Sequence, residues 1–277
     1  MPRRPTSILA VVPLLCLAVV WGCGGDRVEW TDAEPLPPAE RSAPDVAFEG
    51  GQLVPLPFTA SMAVPVIGSQ CAGSVQSVRA APGDWYAAWW AVRPDSTADV
   101  VVSRSSDGRS WTAPVRVDTT DVGRSGCQRP APSLSADAGN VHVAYAMVAR
   151  EGPGVFAAHS MDRGATFHTP VTIVYGERIG RSAIAARGNL VVVAYEDPNS
   201  DPRRVDVAVS RTMGHTYEPR QVVSPPTGEA SAPRVALGDD RIAVIWSQSP
   251  VTGARGGEPR AEIPAGAVRM VRVGVLR

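Results

Sequence analysis

The sequence predicts an all-β fold built from repeated units of four strands. Short runs rich in Val, Ile, Ala and aromatic residues alternate with clusters of Gly, Pro and Asn, which is typical of buried strands. The runs recur with a period of about 50 residues, and no helix of note is visible between them. Four strands per period of that length indicate the blades of a small β-propeller.

The inner strand of each unit contains one equivalent apolar residue. These residues are Val78, Leu134, Ile184 and Val235, at intervals of 56, 50 and 51 residues. Eleven positions after each stands an aromatic residue of the second strand: Trp89, Tyr145, Tyr195 and Trp246. Third strands are predicted at 99–105, 154–160 and 205–210, and fourth strands at 114–117, 170–174 and 220–223.

The last unit is incomplete, since after Trp246 only the run 268–276 precedes the end of the sequence. We predict that an N-terminal strand, residues 58–62, completes this unit as its outer strand and closes the ring. Closure removes the open sheet edge that an unfinished blade would present. The prediction is therefore about four four-stranded blades, or five if the N-terminal region holds another.

A short polar pattern follows the third strand in three units. The pattern consists of Ser105, Asp107, Gly108 and Trp111, then Ser160, Asp162, Gly164 and Phe167, then Ser210, Gly214 and Tyr217, with Thr212 in place of Asp. An Asp side chain accepts hydrogen bonds from backbone N–H groups just ahead of it, and Gly supplies a conformation that other residues resist. The aromatic residue buries a large apolar face. We therefore predict three structural turns.

This pattern resembles the Asp box of the sialidase and BNR-repeat β-propellers. The resemblance implies a ligand site on the loops at one end of the channel, with the boxes at the opposite edge. Sialidase chemistry would use an arginine clamp for a carboxylate, a Tyr nucleophile with a Glu, and an acid/base. By residue type the candidates are Arg129, Arg178 and Arg181 for the clamp, Tyr175 and Glu177 for the reaction, and Arg124, Glu196 and Asp197 on the ligand face.

Several features favour a non-catalytic module over an enzyme. The Arg-Ile-Pro motif that opens catalytic sialidase domains is absent, and Tyr175 and Glu177 share one loop instead of coming from separate blades. Catalytic members also use six blades, for which the chain is too short. The first hypothesis is thus a surface propeller that binds a glycan or an envelope protein. The alternative is a reduced sialidase-like glycoside hydrolase, and a scaffold without a small ligand is the third possibility.

Residues 1–23 predict export. Arg3 and Arg4 precede an apolar stretch, and the segment resembles a bacterial lipoprotein signal in which Cys23 is lipidated. Gly24 at the next position implies the outer membrane if the cell is Gram-negative. Residues 24–57 are rich in Pro and are predicted to be a flexible tether, followed by the propeller at 58–277.

Two cysteines remain for the domain once Cys16 and Cys23 are assigned to the signal. Cys71 and Cys127 each stand seven residues before an equivalent inner-strand position. Equivalent positions on adjacent blades lie near each other, so a disulfide is expected in an oxidising compartment, with two separate buried thiols as the alternative.

The remaining features predict no cofactor, metal or nucleic acid. The formal net charge is zero, so no basic surface for nucleic acid is indicated. The four histidines, His142, His159, His168 and His215, show no metal-ligand spacing.

Overall fold

The computed structural model describes residues 28–37, 45–56, 71–80, 83–249 and 267–277. The N-terminal part contributes β1 (Val28–Trp30), β2 (Glu34–Pro35), β3 (Asp45–Glu49) and β4 (Gln52–Leu56). The first sheet contains β5 (Gln76–Arg79), β6 (Trp85–Val92), β7 (Ala98–Ser105) and β8 (Val115–Asp118). The second contains β9 (Ser133–Asp137), β10 (Asn140–Ala149), β11 (Gly152–Ser160) and β12 (Val171–Tyr175). The third contains β13 (Ser182–Arg187), β14 (Leu190–Glu196), β15 (Val205–Ser210) and β16 (Gln221–Val222), and the last begins with β17 (Glu229–Leu237), β18 (Arg241–Ser249) and β19 (Val268–Leu276).

Each of the first three sheets is an antiparallel meander of four consecutive strands. The inner strands β5, β9, β13 and β17 contact one another in that order. Side chains also link them, since Ser133 and Ser135 of β9 each accept a hydrogen bond from a β13 backbone N–H at 3.0 Å. This is the arrangement of successive propeller blades, and it confirms the all-β prediction and the predicted inner strands. Among the described residues no helix is long and apolar enough to cross a membrane.

The outer strand of the last sheet comes from the N-terminal segment, but from different residues than predicted. β1 pairs with the free edge of β19, and β2 pairs with it further along. Trp30 donates its indole N–H to Gln221 at 2.6 Å, and its ring and Val28 lie where a side chain at Gly274 would stand. The proposed strand 58–62 lies outside the described residues. Part of the predicted tether 24–57 is therefore folded into the last blade.

A fifth, two-stranded sheet is formed by the hairpin β3–β4, also within the predicted tether. Buried Val46, together with Phe48, packs with Leu36 against Ala243 and Ile245 of the last sheet. The hairpin therefore covers the face of the last sheet that points away from the third.

Pairs of adjacent sheets enclose the apolar core, which is rich in Val and Ala and includes large aromatic residues from every blade. Tyr145 packs between the first and second sheets, Tyr195 between the second and third, and Trp246 between the third and last. Trp89 faces away from the second sheet and packs with Trp111. All four predicted aromatic residues are buried. Tyr145, Tyr195 and Trp246 each pack against the preceding blade, and Trp89 lies on the equivalent face of the first sheet.

The three polar turns, which we call box loops (105–111, 160–167 and 210–217), share one hydrogen-bond pattern. In the first, Ser105 Oγ accepts from the Gly108 N–H at 2.8 Å, and Asp107 accepts from the N–H groups of Arg109 at 2.8 Å and Ser110 at 2.7 Å. These bonds hold the pKa of Asp107 well below its ordinary value. In the third loop Thr212 Oγ1 accepts from the Thr216 N–H at 3.0 Å, so the hydroxyl replaces the missing carboxylate.

Candidate functional site

The loops opposite the box loops form one connected surface, which we call the loop face (119–132, 150–151, 175–181 and 197–204). Backbone hydrogen bonds join neighbouring blades across it: Val122 donates to the Val148 carbonyl and Ala230 to the Arg203 carbonyl, each at 2.8 Å. Within the second blade, Gly176 donates to the Pro153 carbonyl at 3.0 Å. Such cross-blade bonds restrict the loops, so groups exposed here are held in place before any ligand arrives.

Arg129, the first predicted clamp residue, is used inside its own loop. Its guanidinium forms a 2.9 Å ion pair with Asp121, and the two side chains are only 5% and 0% exposed. The same group donates to the carbonyls of Gly126 and Gly123, each at 2.9 Å. It also lies over the Trp90 ring at 4.9 Å from the centroid. The charge is thus neutralised and enclosed, and it holds the loop between the first two sheets.

The other predicted clamp residues are held by different neighbours. Arg178 is 48% exposed, donates to the Ser200 carbonyl and lies 3.8 Å from the Asp201 carboxylate. Arg181 is half-buried, and its carbonyl accepts from the Glu196 N–H at 3.0 Å. Arg178 therefore contacts the third-blade loop, whereas Arg129 binds groups of the first-blade loops.

Glu196 and Asp197 are buried and bonded within the loop face. Glu196 accepts from Arg203 at 2.9 Å and from the Ala232 N–H at 2.8 Å, which joins the third blade to the last. Asp197 accepts from the Asn199 N–H at 3.1 Å and from Arg220 at 3.2 Å. Both carboxylates therefore stabilise loop conformations.

Besides Arg178, the structure leaves three predicted residues exposed: Tyr175, Glu177 and Arg124. The Tyr175 ring is 45% exposed, lies edge-on to Phe156 at 6.0 Å, and its hydroxyl accepts from Thr172 at 3.3 Å. Its backbone carbonyl accepts from the Asn199 side chain at 2.8 Å. Together with Arg178 this loop presents an amphipathic ring and a cation to solvent.

Asp206 is a further acidic residue near this surface, and the sequence analysis missed it because it lies inside a strand. Asp206 is the register partner of Tyr195 across β14 and β15, and its carboxylate lies 3.7 Å from Arg220. Its Oδ1 finds no hydrogen-bond partner within the part of the chain that the structure describes. Burial and the neighbouring Asp197 raise the pKa of Asp206 to about 6, against the opposing effect of Arg220.

This raised pKa gives a pH-dependent contribution to stability. Between about pH 4 and pH 6 the folded protein keeps a proton on Asp206 that the unfolded chain has released. The stabilisation from this proton is therefore fully present below pH 4 and is lost as the pH rises through 6. We expect the parent to lose roughly 2–3 kcal/mol of unfolding free energy relative to Asp206→Asn between pH 4 and pH 7. Urea titrations of both proteins across this range measure it, and parallel pH profiles would contradict it.

The histidines also come together, although their spacing in the sequence suggested nothing. His159 and His168 flank the second box loop, and His215 lies within the third. The repeat could have predicted this cluster, because the three histidines lie in or beside the box loops of two adjacent blades. Equivalent loops of adjacent blades are neighbours in a propeller.

A shallow cleft of about 450 Å³ lies on the box-loop side, between the third and last sheets. Arg187, Asn189 and Asp239 are among its lining residues, and Arg187 and Asp239 form an exposed ion pair. Exposed pairs of this kind contribute little to stability. The cleft is thus open and remote from the loop face, and polar and apolar groups contribute about equally to its lining.

The Cys71–Cys127 disulfide is present, which confirms the predicted pairing. It joins the segment entering β5 to the loop that leads into β9, and the two cysteines are 56 positions apart in the sequence. The bond thereby ties the first blade to the loop that carries Arg129. Cys23, the predicted lipid anchor, lies outside the described residues.

Comparison with known proteins supports the fold. No family profile and no curated protein matches the sequence. A protein of unknown function from Dyadobacter fermentans has a TM-score of 0.51 and 15% identity, covering 90% of this chain and 72% of that chain. An α-L-arabinanase from Penicillium chrysogenum scores 0.48 at 17% identity, and a Hadza microbial sialidase scores 0.45 at 16%. These matches cover 64% and 62% of this chain, but only 58% of the arabinanase and 41% of the sialidase.

Proposed function

We propose that the protein is a non-catalytic propeller module that binds a glycan or a protein partner through its loop face. The observation that carries the proposal is that Arg129, a predicted clamp residue, and Glu196 and Asp197, predicted ligand-face residues, are already bonded within the protein. Arg129 is enclosed with Asp121, and Glu196 and Asp197 are buried in bonds to their neighbours. A clamp for a substrate carboxylate needs guanidinium N–H groups that are free to bind it. Four of the five N–H groups of Arg129 donate to protein oxygens, and the side chain is only 5% exposed.

The binding residues in this proposal are those of the second-blade loop. Tyr175 combines an apolar ring with a polar tip, and such rings supply much of the contact energy at interfaces. Arg178 and Glu177 stand in the same loop and add charges of both signs. An exposed ring beside charged groups suits a sugar face or a polar peptide surface.

Two variants of Tyr175 separate binding from catalysis. We expect Tyr175→Ala to weaken ligand binding at least tenfold, about 1.4 kcal/mol, because it removes the ring. Tyr175→Phe keeps the ring, so binding should fall less than threefold. Binding is measured with the purified full chain on a glycan array and by titration of the best ligand, with Thr172→Ala as a control for loss of the hydroxyl contact.

The same preparations test the enzyme alternative. Fluorogenic sialosides and neutral glycosides should show no turnover with the parent protein. Hydrolysis by the parent that is lost in both Tyr175→Phe and Tyr175→Ala would assign the hydroxyl a chemical role and overturn the proposal.

Export and anchoring belong to the proposal as well. The disulfide supports an oxidising compartment, where such bonds form and persist. In a bacterial host that processes lipoproteins, the full chain should fractionate with membranes, and Cys23→Ala should release it. Membrane association that survives this substitution would contradict anchoring through Cys23.

A further inference from the structure

Three histidines from two neighbouring blades converge on the box-loop side of the molecule. His159 is the penultimate residue of β11, His168 follows the second box loop, and His215 belongs to the third. One imidazole nitrogen of each lies within 4.8 Å of the others. The second and third blades are separate hydrogen-bonded sheets, so this convergence joins them through side chains.

The backbone fixes two of these rings. The His168 N–H donates to the His159 carbonyl at 2.9 Å, so the two rings stack with centroids 4.4 Å apart. The His215 N–H donates to the Thr212 carbonyl at 3.1 Å, and its ring lies 4.3 Å from that of His159. The buried His142 ring stacks on the His159 ring with the two centroids 6.0 Å apart, on the interior side of the cluster.

The protonation of His215 follows from its partner. Its Nδ1 lies 2.7 Å from the Thr212 carbonyl oxygen, which can only accept, so Nδ1 carries the proton. In the neutral ring Nε2 then holds a lone pair, and this atom points at His159. A backbone carbonyl bound to the outer ring nitrogen is the usual device that orients a metal-ligating histidine.

The distance between His159 and His215 fits a tetrahedral ion, and a ring nitrogen of His168 lies within 4.8 Å of both. Zn–N bonds of about 2.0–2.1 Å place two ligand nitrogens about 3.3–3.4 Å apart at the tetrahedral angle. The Nε2 atoms of His159 and His215 are 3.3 Å apart. His168 and His215 are exposed, so an ion can enter from solvent and keep a water as its fourth ligand.

We propose that His159, His168 and His215 form a binding site for a divalent transition-metal ion of the Zn²⁺ type, which fastens the second blade to the third. Imidazole nitrogens suit Zn²⁺, Cu²⁺ and Ni²⁺, whereas Ca²⁺ and Mg²⁺ prefer oxygen ligands. The competing arrangement is a direct hydrogen bond in which His159 donates to His215. That arrangement needs no ion and leaves His168 without a role.

Calorimetric titration of the full chain with ZnCl₂ tests the site, using a protein that carries no polyhistidine tag. We expect about one ion per chain, and at least tenfold weaker binding in both His168→Ala and His215→Ala. Both residues are exposed, so the variants should fold, and circular dichroism checks this. Met161→Ala, an exposed change in the second box loop, serves as the control and should bind as the parent does.

Two further readouts decide the outcome. Co²⁺ in place of Zn²⁺ should give the intense visible bands of a four-coordinate ion in the parent and lose them in His215→Ala. Zn²⁺ should raise the melting temperature of the parent and of Met161→Ala, but not of the histidine variants. No binding, or binding equal in parent and histidine variants, would overturn the proposal and leave the direct hydrogen bond.

Discussion

Replacement of Arg129 by Ala should lower the free energy of unfolding by about 3–5 kcal/mol. The substitution leaves the Asp121 carboxylate, whose side chain is 0% exposed, without its counter-ion. The Ala98 and Gly123 N–H groups still donate to it, but at 2.8 and 3.2 Å they supply hydrogen bonds without a formal charge. The Gly126 and Gly123 carbonyls also lose a donor, so the whole loop between the first two sheets is expected to loosen.

Equilibrium unfolding in guanidinium chloride measures this effect. Arg178→Ala is the matched control, because the same side chain is removed from the loop face but from an exposed position. Its cost should stay below about 1 kcal/mol, the usual range for exposed ion pairs. If Arg129→Ala were as mild as the control, the Arg129–Asp121 pair would not be a structural element, and a ligand-binding role for Arg129 would return.

The second large effect should come from the disulfide. Cys71→Ala combined with Cys127→Ala is expected to lower the free energy of unfolding by about 2–4 kcal/mol, because the unfolded chain gains the freedom of an opened loop. Because the cysteines are 56 positions apart, the chain-entropy relation gives a value of about 4 kcal/mol, at the upper end of that range. The cost should appear as an earlier unfolding midpoint with a native spectrum retained.

Reduction offers an internal control for this prediction. A reducing agent should bring the parent to the midpoint of the double variant and leave the variant where it is. A parent that is insensitive to reduction would show that the first blade is held by packing alone. A variant that shifts with the reductant would indicate an effect unrelated to this bond.

Much of the fold could be predicted because it depends on local patterns. The run 268–276 is β19 in the structure, and Val78, Leu134, Ile184 and Val235 all lie in inner strands. A buried strand needs a continuous apolar run between turn-forming residues, and that requirement is visible in the sequence. The box loops could also be predicted from the sequence, because their hydrogen bonds join residues within five positions of each other.

The N-terminal strands were not predictable in the same way. β1 is three residues long and stands beside a Pro-rich stretch, so its composition is that of a tether. It becomes a strand because the edge of β19 offers unpaired backbone groups and Gly274 leaves room for Val28 and Trp30. Both conditions are set by residues more than 200 positions away.

Residue types on the loop face were predicted, but their states were decided by neighbours. Arg129 and Arg178 have the same side chain and similar loop positions, yet one is enclosed by an acid and two carbonyls and the other is open to solvent. Burial and pairing depend on which loops meet, which no single segment encodes.

The sequence by itself determined the repeat, the strand order within blades and the box loops, and it made Cys71 and Cys127 the expected disulfide pair. Each of these depends on the period of the chain and on the chemistry of neighbouring residues. Only the tertiary structure decided that Val28–Trp30 completes the last blade, that Arg129 is a structural cation, and that His159, His168 and His215 meet. These depend on distances between segments far apart in the chain, which packing sets when the blades come together.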